Sequence, residues 1–201
     1  MPEKHLWESI PPRVFHYKPQ DYTYSCFSTC LQIALVNFGL LPAEGRTIED
    51  EFNEFTGRTL DTEAPTLEKA DQYIQNKGDY FAREGVEAEK IDQIMESTSN
   101  RIVEDMKAYD KYAIIGAIKD AGHALSLIKI GTLFYGVNPN LPTKNVLTFK
   151  SNPLQSVAST DGRDIALQIP DLGAMQYCYL FKYNDPFEET EEIHCPCCTI
   201  A

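Results

Sequence analysis

Basic residues are scarce in this chain. Lysine and arginine number 18 against 30 aspartates and glutamates, a net charge of −12. A phosphate backbone is bound by a basic stripe, so a nucleic-acid partner is excluded. Long apolar runs are missing too. None approaches the roughly 18 residues that cross a bilayer, so membrane association would have to come from an attached lipid. Residues 1–12 are polar and contain Pro2, Pro11 and Pro12, without the apolar stretch of a secretory signal. Histidine is rare as well: His5, His16, His123 and His194 are the four. Any chemistry that needs an imidazole has few places to find one.

What is present is an ordinary globular composition of 201 residues, 43% hydrophobic, enough for a core without disulfides or metal. Six cysteines without a secretory signal imply a reducing compartment and free thiols. Apolar residues at helical spacing predict a helix from Cys26 to Phe38, stopped by Gly39. Thr47 is expected to cap a second helix, Ile48 to Phe55. Thr66 opens a third, Leu67 to Asn76, with Gly78 as its stop. A longer helix is expected from about Glu87 to Tyr109. The pattern then changes to β-rich runs: 111–119, 123–130, 133–138 and 175–183. Helices first and antiparallel strands second make an α+β fold. The reading is one domain over 1–183 and an acidic, cysteine-rich flexible tail over 184–201.

A thiol is a nucleophile as thiolate, and a helix N-terminus favours that form. Cys26 opens the first helix, with Ser25 or Thr23 available to cap it, and is read as the exposed thiol. Cys30 lies a turn inside on the apolar face and is read as inert core. A base is needed next. His123 is the histidine of the β-rich body, at a strand start after Ala121-Gly122. A hairpin across Gly131-Thr132 would bring Asn138 back beside it as an orienter, with Pro139 ending the strand. An oxyanion can be held by the Cys26 N–H and the amide of Gln20.

Gln20, Cys26, His123 and Asn138, in that order, resemble the papain-like cysteine peptidase superfamily. The closer likeness is to its C39-like branch, which includes bacteriocin-processing peptidases. The matching pieces are Gln20-x5-Cys26, the helix from Cys26 to Gly39, Gly122-His123 before a hydrophobic strand, and Tyr135-Gly-Val-Asn138-Pro139. Phe27 stands where those relatives carry Gly or Trp. The resemblance implies an N-terminal helical lobe carrying the nucleophile, packed on a C-terminal antiparallel sheet carrying His and Asn. It implies an acyl-enzyme on Cys26, most simply a cysteine protease without cofactor or metal. The same groups could run deamidation, transglutamination or acyl transfer. A catalytically idle, membrane-tethered adaptor on the same scaffold is the rival reading.

The chain ends Cys198-Thr-Ile-Ala201, a C-a-a-X pattern that a farnesyltransferase reads. One prenyl chain binds membranes only marginally, and Glu188, Glu189, Glu191 and Glu192 would repel anionic lipid. Acylation of Cys195 or Cys197 is then the expected second signal. Adjacent Cys197 and Cys198 do not readily join His194 around one ion, so no zinc site is expected there. A prenyl box needs a eukaryotic cytosol, and the glutamate-rich tail resembles the C-terminal signal of some type IV effectors. The combination resembles a bacterial effector secreted into a host cell without a signal peptide. It would act in host cytosol and on the cytosolic face of membranes, with a host prenyltransferase and a host membrane-associated protein substrate as partners.

Overall fold

The computed structural model describes residues 15–92, 96–118, 123–140, 146–149 and 175–184. The tail cysteines Cys195, Cys197 and Cys198, along with His5 and His194, lie outside them. In chain order the elements are α1 (Cys26–Phe38), α2 (Thr47–Phe55), α3 (Leu67–Asn76), α4 (Gly78–Arg83), β1 (Val86–Ile91), α5 (Glu96–Ala108), β2 (Lys111–Ile118), β3 (Ala124–Ile130), β4 (Leu133–Val137), β5 (Val146–Phe149) and β6 (Met175–Tyr183). The strands form one sheet in the order β1-β6-β2-β3-β4-β5, and every pairing is antiparallel. The fold is α+β, with helices in the N-terminal part and the antiparallel sheet later.

Strand alternation divides the core in two. Ala113 and Ile115 of β2, Ile128 of β3 and Tyr179 and Phe181 of β6 face α1 and its helical neighbours. The intervening Tyr112, Ile114, Leu127, Cys178 and Leu180 face Ile102 and Met106 of α5. Both faces are therefore covered, and α1 is buried nearly all round against β2 and β3. Gly39 ends α1 at φ 85°, its N–H bonding Val36 at 3.0 Å while Leu40 N–H returns to Leu35, as a left-handed C-terminal glycine should.

Three local expectations fail. The helix expected from Glu87 is a strand up to Ile91: Val86-Glu-Ala-Glu-Lys-Ile91 pairs along β6, with Val86 opposite Tyr183 and Ile91 opposite Cys178. Its residues are fair helix formers, but the open edge of β6 offers a full ladder, and that tertiary gain overrides propensity. Gly78 does not stop a helix; it begins α4 after a break at Lys77, in a backbone without positive φ. Thr47 does not cap α2. It is the first helical residue and Arg46 holds the cap position. The Ile48 N–H instead donates to Gln32 Oε1 of α1 at 2.7 Å, so a neighbouring helix supplies the acceptor. Thr66 does cap α3, accepting the Lys69 N–H at 3.3 Å. No helix of the described residues is long and apolar enough to cross a membrane.

Candidate active site

The β3–β4 hairpin turns at Gly131, whose φ of 58° the tight connection requires, and pairs Ser126 with Val137. That register carries the chain just past Val137 back alongside the start of β3. Asn138 Oδ1 lies 2.8 Å from His123 Nε2. The same oxygen accepts the Asn140 backbone N–H at 3.1 Å. A donor on that oxygen fixes the amide's orientation, because a flipped Asn138 would set its NH2 against an N–H. His123 Nε2 must then be the protonated nitrogen. The other nitrogen, Nδ1, carries the free lone pair, which is the tautomer a general base needs.

Cys26 sits at the opening of α1, and the Ala124 N–H donates to its Sγ at 3.3 Å. Ala124 opens β3 and directly follows His123, so the thiol contacts the residue next to the imidazole. Cys30, one turn on, donates to the Ala124 carbonyl at 3.8 Å. The two thiols thus hold both polar groups of one residue, which fixes α1 against β3. Cys30 is fully buried, as expected, and burial raises its pKa well above the usual thiol range.

Cys26 departs from expectation. It is not exposed: 9% of its surface is accessible. Burial raises its pKa, and the N–H groups of Ala124, Phe27 and Cys26 itself lower it by less. The helix-end donors are there, but they act on a sulfur withdrawn from water, and desolvation wins. The next residue, Phe27, is buried in the same core, its ring packed 5.7 Å from Phe52 and 5.4 Å from Tyr179.

Gln20 is on the loop that feeds α1. Its backbone N–H donates to the Pro139 carbonyl at 3.0 Å, and the Tyr17 hydroxyl donates to the Asn138 carbonyl at 3.3 Å. The Gln20 loop is therefore tied to the chain that carries Asn138. Its side-chain Nε2 donates to the carbonyls of Tyr22 at 3.0 Å and Thr23 at 2.7 Å, which uses both amide hydrogens. Its Oε1 is buried with no partner among the described residues. Between this loop, residues 19–23, and Pro139-Asn140 opens a cleft of about 480 Å³.

Ser25 holds the cap position of α1, as read, but its side chain makes no capping hydrogen bond. Ser25 Oγ turns instead to Glu49, at 2.7 Å, and Thr29 Oγ1 donates to the same carboxylate oxygen at 2.6 Å. Glu49 is a fully buried acid beside α1, and nothing in its own sequence neighbourhood marks it. The signal was on α1 and its cap: Ser25, Thr29 and Gln32 form a polar stripe at helical spacing along a largely buried helix, which demands polar partners. Among the described residues no group of three His, Cys, Asp or Glu side chains could hold a metal ion.

No family model matches the chain, and no curated protein matches its sequence. Among solved structures, the chain is similar to the crystal structure of the Pseudomonas avirulence protein AvrPphB, at 13% identity and a TM-score of 0.38, over 84% of this chain and 96% of that one.

Proposed function

We propose that the protein is a thiol-dependent acyl-transfer enzyme, with Cys26 as nucleophile, His123 as base and acid, and Asn138 as orienter. The observation that carries this is the locked His123–Asn138 hydrogen bond beside a thiol that receives the Ala124 N–H. On this reading His123 Nδ1 takes the Cys26 proton as Sγ attacks a substrate carbonyl. The raised thiol pKa means the proton is still on sulfur at rest and leaves during the attack. The oxyanion is met by the Cys26 N–H and by Gln20. The latter releases the Tyr22 or Thr23 carbonyl for a charged acceptor, which binds an N–H more strongly than a neutral one. The tetrahedral adduct collapses as His123 returns the proton to the leaving amine. Water, deprotonated by His123, then hydrolyses the thioester.

Proteolysis is the simplest outcome. Deamidation or transfer needs only a different leaving group or acceptor. The test is intact-mass trapping of an acetyl adduct from p-nitrophenyl acetate. Cys26→Ala should abolish it, and His123→Ala should slow it by about 10²–10⁴-fold. A wild-type protein acetylated no faster than Cys26→Ala would overturn the reading.

From the sequence alone the proposal extends to a farnesyl group on Cys198, acylation at Cys195 or Cys197, and a membrane-associated host protein as substrate. In eukaryotic cells Cys198→Ser should shift the protein from the membrane fraction to the cytosol; unchanged fractionation would remove the anchor from the proposal.

A further inference from the structure

Glu49 collects four donors although no part of it reaches solvent. Ser25 and Thr29, both fully buried, donate their hydroxyls to Oε1 at 2.7 and 2.6 Å. The Asp21 backbone N–H donates to the same oxygen at 3.1 Å. The Lys18 ammonium, itself half-buried, meets Oε2. A buried ion pair adds little stability over an apolar filling, so its presence needs another reason. The reason lies in what the four donors belong to. Ser25 is the cap residue and Thr29 lies in the first turn of α1, the helix that presents Cys26. Lys18 and Asp21 flank Gln20, whose own N–H is fixed from the other side by the Pro139 carbonyl. Glu49 is thus the common anchor of the nucleophile helix and the Gln20 loop. The Cys26–Ala124 and His123–Asn138 contacts do not pass through it.

We propose that Glu49 is a positioning residue that sets the Gln20 loop, the oxyanion side of the site, against Cys26, while leaving the thiol–imidazole pair to the β3–β4 hairpin. This rests on Cys26 acting as the nucleophile. Glu49→Gln keeps an oxygen for the three donors on Oε1 but turns an NH2 toward the Lys18 ammonium, pushing the loop away. Two reactions of Cys26 separate the sides of the site. Acetylation by p-nitrophenyl acetate passes through an oxyanion; alkylation by iodoacetamide does not.

For Glu49→Gln, folded by circular dichroism, the acetylation rate should fall about tenfold relative to the alkylation rate, with the pH profile of alkylation unchanged. Adding Lys18→Met, which removes the opposing ammonium, should restore the ratio to within about threefold. An unchanged ratio in folded Glu49→Gln, or both rates falling together, overturns the proposal while the thiol-enzyme reading stands. If Glu49→Gln does not fold, Lys18→Met alone should lower the ratio in the same direction, and no change there overturns it. A wild-type Cys26 that p-nitrophenyl acetate does not acetylate overturns the thiol-enzyme reading and this inference with it.

Discussion

A single backbone N–H, that of Asn140, decides which nitrogen of His123 can act as a base. It holds Asn138 Oδ1 as an acceptor, and that acceptor holds the proton on Nε2. Replacing Asn138 with alanine frees the imidazole to rotate and to exchange tautomers. Acetylation of Cys26 should then drop about a hundredfold, since a misplaced catalytic group costs on that order, while the melting temperature changes little; a stopped-flow assay with p-nitrophenyl acetate checks it. At this scale the sequence was informative where a residue type is rare. Four histidines and a hairpin with a clear turn led to the His123–Asn138 pair. It was silent on Glu49, one of 30 acids, because burial of a glutamate depends on who donates to it, and those donors lie on another element. It misjudged Cys26 in one respect: position at a helix start says nothing of what packs over the sulfur.

Elements were legible where periodicity was strong and local. The four β-rich runs correspond to β2, β3, β4 and β6, and α1 runs from Cys26 to Phe38 as read. They were misread where a distant partner decided the outcome, as for β1, whose ladder is made with residues far along the chain, and for the start of α2, which is satisfied by Gln32. Capping that is local can be tested locally. Thr66 accepts the Lys69 N–H at the start of α3, so Thr66→Ala should lower the unfolding free energy by about 1 kcal/mol. A urea titration should show that as a lower midpoint with an unchanged slope.

Across the whole molecule, burial raises the pKa of several acids whose neutral form the core requires. Cys178 is pushed up to about 12, and Cys26, Cys30, Tyr73 and Tyr112 are raised as well, with burial the largest cause for each. Each holds its proton more tightly folded than unfolded. That contributes stability in full below the unfolded values, about 8.5 for cysteine and 10 for tyrosine, and the contribution is lost as pH rises through the folded values. The urea midpoint should therefore fall steadily from pH 8 upward, to an extent that denaturation curves at about pH 8, 9.5 and 10.5 measure. The strand order has a consequence in time. β6, the last strand among the described residues, lies between β1 and β2 and is the strand that joins them. While the polypeptide emerges from a ribosome, α1, β3 and β4 can find one another early, but β1 has no edge to join until residues 175–183 appear. The sheet therefore closes only once residues 175–183 have been made, and a nascent or truncated chain lacking those residues holds its thiol and imidazole on an unfinished scaffold.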